Sequence, residues 1–129
     1  MDQFKVLIVD DEQDFLETIV KRLKKRNIDV TGVESGVKAL EIVDKQDFDV
    51  VILDVKMPVL DGIETLRELK KKKPLLEVIM LTGHASVESG IQGMQLGAFD
   101  YVMKPVAIDE LLEKMRQAYE RKTLQEGKG

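Results

Sequence analysis

The chain has 129 residues, of which 43% are apolar and 34% are charged. This length and composition fit one domain with a single buried core, and they exclude disordered and collagen-like chains. The net charge of −4 argues against non-specific nucleic-acid binding, because neutralising phosphates requires a basic surface. With no cysteine and one histidine, the chain cannot build a disulfide scaffold, a thiolate zinc site or a cysteine nucleophile, and a histidine-based metal site is disfavoured.

No targeting segment is visible in the sequence. The N-terminal residues lack the basic start and the apolar stretch of a signal peptide. All apolar runs are far shorter than the roughly 20 residues that a membrane-spanning helix needs. We therefore expect a soluble, cytoplasmic protein that does not contact a membrane.

The first half of the chain predicts two strand–helix pairs. The apolar run at residues 6–9 is typical of a strand buried on both faces, as in a parallel sheet covered by helices. A helix should follow, since apolar residues then recur at three- and four-residue spacing (Phe15, Leu16, Ile19, Val20 and Leu23). Residues 28–33 predict a more dilute strand, whose polar residues suit a sheet edge, and Ser35 is the expected N-cap of the second helix.

The second half repeats this alternation three times. Residues 50–53 and 78–81 predict two further buried strands, and residues 99–103 predict a second edge strand. Residues 61–64 resemble a capping box at the start of the third helix, and Asp109-Glu110 opens the last helix. After Tyr119 we expect a polar tail that frays, which divides the chain into a domain at 1–120 and a tail at 121–129.

The five strand–helix pairs predict right-handed βαβ units and an α/β fold. We expect a doubly wound, five-stranded parallel sheet of the flavodoxin-like (βα)5 type, in the strand order 2-1-3-4-5. This order places the three apolar strands inside the sheet and the two dilute strands at its edges. Ligands bind such sheets beyond the carboxyl ends of the strands, here between strands 1 and 3.

The fourth helix, expected at residues 87–96, contains Gly90 and Gly93. Two explanations are open. Each internal glycine costs about 1 kcal/mol relative to alanine, so this helix would be the least stable one and would be mobile. Alternatively, the glycines allow close packing of the helix against the sheet.

Three carboxylates lie at the predicted ligand-binding edge. Asp10 and Asp11 directly follow the first strand, and Asp54 directly follows the third. Two unit charges about 4 Å apart repel by roughly 4 kcal/mol at an effective dielectric constant near 20, so such a cluster is costly unless it holds a cation. An all-oxygen site that is open to water suits Mg²⁺. In the alternative interpretation, Asp10 and Asp11 only cap the first helix and Asp54 only ends a strand.

Two further polar residues reach the same edge. Thr82 follows the apolar run at residues 78–81, and Lys104 follows the predicted fifth strand. A hydroxyl and an ammonium opposite carboxylates can bind the oxygens of a phosphoryl group, with the lysine acting as a point charge. Lys104 could instead form a simple salt bridge to the acids, which still places it in the site.

Four segments, in their order and spacing, resemble the receiver domain of response regulators in two-component signalling, of the chemotaxis-regulator-like type. They read Val-Asp-Asp-Glu at 9–12, Asp-Val-Lys-Met-Pro-Val-Leu-Asp-Gly at 54–62, Leu-Thr-Gly at 81–83 and Gly-Ala-Phe-Asp-Tyr-Val-Met-Lys-Pro at 97–105. The resemblance extends from about Lys5 to Tyr119. Gly83 and Val106 depart from the family pattern, in which alanine and phenylalanine are frequent, and they make the output surface less predictable.

The resemblance implies a phosphorylation site with a metal ion. Asp54 would accept a phosphoryl group from a histidine kinase, and a carboxylate is a known nucleophile in phosphoryl transfer. Mg²⁺ would be held by Asp10, Asp11, Asp54 and the backbone carbonyl of Lys56. The domain would catalyse its own phosphorylation and dephosphorylation without being a conventional enzyme.

The resemblance also implies a switch. Thr82 and Lys104 would bind the phosphoryl oxygens, with the Lys104–Pro105 peptide bond in the cis form. On phosphorylation, the Thr82 hydroxyl would move toward the phosphoryl group, and Tyr101 would rotate from an exposed to a buried position. This is a two-state element that a local change of charge biases.

The expected partners are a histidine kinase and a downstream output domain or protein. A homodimer through the face made by the fourth helix, the fifth strand and the fifth helix is left open. Neither nucleic acid nor a membrane is expected to bind this domain directly. Because 129 residues leave no room for a DNA-binding output domain, we expect a single-domain regulator or the front part of a longer chain.

Three other interpretations remain open. A haloacid-dehalogenase-type phosphatase also uses an aspartyl nucleophile, but its two aspartates are one residue apart, whereas Asp10 and Asp11 are adjacent. A flavodoxin-like flavin binder needs a loop rich in hydroxyls and glycine where this chain has acids that would repel the flavin phosphate. The third interpretation is a pseudo-receiver that only binds proteins, and the complete set of Asp10, Asp11, Asp54, Thr82 and Lys104 argues against it.

Overall fold

A computed structural model describes residues 4–57, 59–83 and 87–127 of the chain. Strands and helices alternate through these ranges, as the sequence predicts. The elements are β1 (Lys5–Val9), α1 (Gln13–Lys24), β2 (Asp29–Val33), α2 (Gly36–Lys45), β3 (Val50–Asp54), α3 (Gly62–Lys72), β4 (Glu77–Thr82), α4 (Val87–Gln95), β5 (Asp100–Met103) and α5 (Ile108–Gln125). No helix in these ranges is both long and apolar enough to span a bilayer.

The five strands form one parallel sheet in the order β2-β1-β3-β4-β5, which confirms the predicted doubly wound α/β fold. β1 lies between β2 and β3, so that Val6 is beside both Val30 and Val50. β3 and β4 are buried along their whole length, whereas β2 and β5 carry partly exposed residues. The two dilute strands therefore lie at the edges of the sheet, as predicted.

Each face of the sheet has its own apolar core, because side chains alternate between the two faces along every strand. On one face, α1 and α5 pack against the strands through a set of buried residues that includes Val6, Ile8, Leu16, Leu23, Ile52, Leu111 and Met115. On the other face, α2 and α3 pack against a second set that includes Leu7, Val9, Ala39, Val43, Val51, Leu53, Leu66 and Leu69.

Two predicted helix starts are present at their expected positions. The Ser35 hydroxyl accepts a hydrogen bond from the N–H of Lys38 at 3.1 Å and caps α2. Asp61 caps α3 by accepting from the N–H of Glu64 at 2.9 Å. The side chain of Glu64 pairs with Arg67. Of the two hydrogen bonds of a capping box, the structure therefore shows the one that Asp61 accepts.

The prediction of a fraying tail after Tyr119 is wrong for most of that segment, because α5 continues to Gln125. Arg121 pairs with Glu77, and Lys122 lies 3.1 Å from Asp49. These long-range ion pairs hold a polar stretch in a helix whose local pattern gives no sign of burial. The helical stretch therefore extends beyond the expected boundary at residue 120.

Gly90 and Gly93 allow α4 to approach the sheet closely. An ideal Cβ atom at Gly90 would lie 2.8 Å from Cγ2 of Thr82 and 3.4 Å from Cγ of Tyr101. One at Gly93 would lie 3.0 Å from Cγ of Met80. Close packing thus accounts for both glycines, and the lower stability of α4 stays a prediction.

Candidate functional site

The carboxyl edge of the sheet brings the three predicted acids together. Asp10 and Asp11 follow β1, and Asp54 is the last residue of β3. Three carboxylate oxygens, one from each of these acids, lie within 4.8 Å of one another. Asp10 is 0% and Asp54 is 6% exposed, whereas Asp11 is exposed. The cluster therefore contains two buried carboxylates and one that is open to water.

The sheet and the start of α1 hold these acids in place. Val9 pairs with Leu53, so the residues that follow β1 and those that end β3 lie at the same level. Oδ1 of Asp10 accepts a hydrogen bond from the N–H of Glu12 at 2.9 Å, just before α1 begins. This contact lies outside the helix, because the N-cap of α1 is Glu12 and no side chain among the described residues caps α1. Asp10 therefore belongs to the acidic cluster and is not the cap of α1 that the alternative interpretation expected.

The negative charge of the cluster is only partly balanced by the positive groups around it. Burial and the charge of Asp10 raise the pKa of Asp54 to about 7, although Lys104 and the backbone N–H of Lys56 lower it. Burial also raises the pKa of Asp10, although the ion pair with Lys104 and the hydrogen bond from the N–H of Glu12 lower it. A bound cation would lower both pKa values, because its charge favours the ionised carboxylates.

The donor set fits Mg²⁺. The ion prefers carboxylate oxygens with several waters to a closed protein cage, and Asp10, Asp11 and Asp54 offer oxygens at an edge that is open beside Asp11. The backbone of Lys56 hydrogen-bonds the Asp54 carboxylate, so this peptide lies at the rim of the cluster. The chemistry of these donors is therefore consistent with the predicted metal site.

Lys104 follows β5 and reaches into the cluster. Its Nζ lies 2.8 Å from Oδ2 of Asp10, 2.9 Å from Oε1 of Glu12 and 3.7 Å from Oδ1 of Asp54. Although burial lowers the pKa of Lys104, its contacts with the carboxylates of Asp10 and Glu12 raise it on balance, and the side chain stays protonated. The Lys104–Pro105 peptide bond is cis.

Thr82 ends β4 and is fully buried. Its carbonyl accepts a hydrogen bond from the N–H of Lys104 at 2.7 Å, which joins the ends of β4 and β5. Its hydroxyl oxygen has no hydrogen-bond partner among the residues that the structure describes. Since buried polar atoms are nearly always hydrogen-bonded, an unpaired hydroxyl at this edge indicates a place for a ligand.

Tyr101 lies close to Thr82 on the edge strand β5. It is half-buried, and its ring, like the methyl group of Thr82, faces Gly90 of α4. This places the two predicted switch residues against the same point of one helix. Residues 84–86, which contain most of the loop after Thr82, and Pro58 of the motif lie outside the described residues.

Two residues that the sequence reasoning did not assign to the site contact Lys104. Glu12 forms the ion pair given above, and the ring of Phe15, expected only in the core, has its centroid 4.5 Å from Nζ of Lys104. Their positions beside Asp11, at the start of α1, offered a weak signal. The contacts depend on where Lys104 points, 92 residues after Glu12.

Comparison with known proteins identifies the family. Residues 6–116 match the family model described as the response regulator receiver domain. The response regulator MprA of Mycobacterium sp. (strain KMS) is 37% identical over 123 residues, covering 95% of this chain and 54% of that protein. The transcriptional regulatory protein ZraR of Escherichia coli (strain K12) is 36% identical over 117 residues, covering 91% of this chain and 26% of ZraR. The chain thus spans about half the length of MprA and about a quarter of ZraR.

Solved structures agree with this match. A response regulator receiver domain protein from Clostridium thermocellum has a TM-score of 0.90 and 39% identity, covering 95% of this chain and 98% of that one. NtrX from Brucella abortus has a TM-score of 0.91 and 28% identity, covering 98% of this chain and 29% of NtrX. In sequence and in fold, therefore, the chain belongs to the response regulator receiver domain family of two-component systems.

Proposed function

We propose that the domain accepts a phosphoryl group on Asp54 from a histidine kinase. The observation that carries this proposal is the position of Asp54, a buried carboxylate between two further acids and the Lys104 ammonium. In the transfer, a carboxylate oxygen forms a bond to phosphorus while the bond from phosphorus to the imidazole nitrogen of the kinase breaks. The imidazole keeps that electron pair and takes up a proton, and Asp54 becomes an acyl phosphate.

Asp10, Asp11, Asp54 and the backbone carbonyl of Lys56 would hold Mg²⁺ in this site. When bound, the ion supplies positive charge opposite the oxygens of the transferred group, where charge develops in the transition state. The carboxylates would orient it, and the open side at Asp11 leaves room for water and for the phosphodonor.

Lys104 and Thr82 would bind the oxygens of the phosphoryl group. The Lys104 ammonium offsets their charge, and the unpaired hydroxyl of Thr82 donates a hydrogen bond that has no other acceptor among the described residues. Both contacts strengthen as charge builds up in the transition state. In a separate hydrolysis step, an oxygen of water bonds to phosphorus while the bond from phosphorus to the Asp54 oxygen breaks. Inorganic phosphate leaves and the Asp54 carboxylate is regenerated, so the domain catalyses its own dephosphorylation without being a conventional enzyme.

The phosphoryl group would switch the surface beside α4. As Thr82 moves toward Asp54, its methyl group leaves the contact with Gly90, and the Tyr101 ring takes up the space. This movement would change the face made by α4, β5 and α5, through which the domain would meet a second copy or an output domain. Such a switch requires that phosphorylation change the free-energy difference between the two conformations by only a few kcal/mol.

The test is to treat the chain with acetyl phosphate, or with beryllofluoride as a mimic, in the presence of Mg²⁺. We expect the mass of one phosphoryl group in the first case and spectral changes near Thr82 and Tyr101 in the second. The Asp54→Ala variant should show neither. An unchanged mass and spectrum for the wild type would instead favour a pseudo-receiver that only binds proteins. Phosphotransfer profiling against purified histidine kinases would then identify the phosphodonor.

A further inference from the structure

Phe15 contacts Lys104 but has no part in the phosphoryl transfer proposed above. Its ring lies on α1 and is half-buried against the core that α1 and α5 share. Nζ of Lys104 lies 4.5 Å from the ring centroid, well inside the range in which the negative face of an aromatic ring attracts a cation. The ring therefore holds the ammonium by more than apolar packing.

The other contacts of the ammonium leave one donor free. Nζ donates a hydrogen bond to Oε1 of Glu12 at 2.9 Å. Its contact with Oδ2 of Asp10 at 2.8 Å is an ion pair without hydrogen-bond geometry, since that oxygen has no hydrogen-bond partner among the described residues. An ammonium has three N–H groups, so these contacts do not use them all. Oδ1 of Asp54 lies 3.7 Å away, too far for a hydrogen bond, so Asp54 does not take up the remaining N–H. The Glu12 side chain is 67% exposed, so its ion pair stabilises this arrangement only weakly.

We propose that Phe15 is a positioning residue for phosphoryl binding, whose ring face keeps the Lys104 ammonium on the α1 side of the site with an N–H free for a phosphoryl oxygen on Asp54. This inference rests on the proposed function, because it adds a residue to the same site. A lysine side chain loses much rotational freedom when its ammonium is held in one place. A ring that restrains it before the ligand arrives reduces the entropy lost on binding.

The experiment compares beryllofluoride binding to the wild type and to Phe15→Leu by calorimetry in saturating Mg²⁺. Leucine keeps an apolar side chain but removes the aromatic face. Loss of a cation–π contact of about 0.5–1 kcal/mol corresponds to about two- to fivefold weaker binding. The affinity for Mg²⁺ alone should not change, because Phe15 acts on Lys104 and not on the carboxylates.

Two variants separate positioning from packing. Phe15→Tyr retains the ring face and should bind beryllofluoride as the wild type does. Phe48→Leu makes the same change at a residue that is 7% exposed in the core on the other face of the sheet, so it should lower stability without weakening binding. The inference is wrong if Phe15→Leu binds normally, or if either Phe15→Tyr or Phe48→Leu weakens binding as much as Phe15→Leu does.

A nuclear magnetic resonance measurement tests the contact without any phosphoryl mimic. Protons over the face of an aromatic ring are shifted upfield, so the side-chain signals of Lys104, assigned by their loss in Lys104→Arg, should be shifted in the wild type and not in Phe15→Leu. Equal shifts in both proteins would refute the role of Phe15. A wild type that shows the shift but never binds beryllofluoride would instead refute the proposed function.

Discussion

Two buried carboxylates lie at opposite ends of the sheet and differ in how their charge is balanced. Glu77, the first residue of β4, is fully buried and accepts hydrogen bonds from the guanidinium of Arg121 at 2.5 and 3.1 Å. Arg121 also lies over the ring of Phe99. Asp54, the last residue of β3, has an ammonium 3.7 Å away and two other carboxylates beside it.

The two edges of the sheet differ in how the charge of the buried carboxylate is balanced. A buried charge is costly unless it is paired and hydrogen-bonded, and a two-pronged guanidinium meets that requirement at Glu77. At Asp54 the surroundings instead raise the pKa to about 7, because the negative charge is incompletely balanced. The edge at Glu77 has a balanced charge, and the edge at Asp54 has an unbalanced one, which is where the proposed function places the cation and the phosphoryl group.

Removing the partner of Glu77 should have the largest effect on stability. In Arg121→Met the Glu77 carboxylate stays buried without its guanidinium, and we expect the free energy of unfolding to fall by about 3 kcal/mol. Urea denaturation measures this change, with Arg116→Met as the control, since Arg116 pairs with Glu113 on the surface of the same helix. Phosphoryl labelling of Asp54 should persist. If both variants lose the same small amount, the two edges do not differ as described.

Removing the charge of Asp54 should stabilise the fold, whereas removing the partner of Glu77 should destabilise it. The folded-state pKa of about 7 lies above the usual 3.8, so the folded chain binds this proton more tightly than the unfolded chain. Stability then falls as the pH rises from about 4 to about 7 and levels off above it. Asp54→Asn avoids this loss and should be about 2 kcal/mol more stable than the wild type near pH 8, with a smaller difference near pH 4. If Asp54→Asn were less stable than the wild type at both pH values, the raised pKa of Asp54 would be wrong.

Added Mg²⁺ should relieve the same imbalance. At a tenfold excess over its dissociation constant, an ion that binds only the folded state adds about 1.4 kcal/mol to the free energy of unfolding. Thermal denaturation with and without the metal measures this gain. Asp11→Asn should reduce it, whereas Asp14→Asn, which removes a charge from the first turn of α1 outside the acidic cluster, should not. Equal gains in the two variants would place the ion elsewhere.

A second ion pair at the balanced edge should matter least. Lys122 lies 3.1 Å from Asp49, but Asp49 is partly exposed and also accepts a hydrogen bond from the N–H of Lys5 at 2.9 Å. Lys122 also pairs with Glu126 at the end of α5. Lys122→Met therefore removes a partner of two carboxylates, but both are partly exposed to water and Asp49 keeps its hydrogen bond from Lys5, so the expected cost is about 0.5 kcal/mol. Urea denaturation alongside Arg121→Met makes the comparison, and a cost as large as that of Arg121→Met would show that burial of the carboxylate is not the deciding factor.

The order of the strands could be predicted because its signals are local. Unbroken apolar runs indicated the buried strands, and diluted runs indicated the edges, since an edge strand has a neighbour on one side only. The length of α5 could not be predicted in this way. Its last turns are polar, and their Arg121 and Lys122 pair with acids far away in the sequence, Glu77 at the start of β4 and Asp49 just before β3.

The acidic site was partly predictable for the same reason. Asp10, Asp11 and Asp54 directly follow or end neighbouring parallel strands, so chain connectivity alone brings them to one edge. The contacts of Phe15 and Glu12 with Lys104 required the folded structure, because they depend on the path of a long side chain from the far end of the sequence.

The sequence by itself determined the alternation of elements, the two-sided core and the acids at the carboxyl edge, because periodicity and adjacency are properties of neighbouring residues. The tertiary structure decided which buried charges are balanced. Glu77 and Arg121 are 44 residues apart in the chain, and neither residue alone shows that they will pair. That choice arises only when helices from distant parts of the chain pack against the sheet and bring particular side chains within a few ångströms of each other.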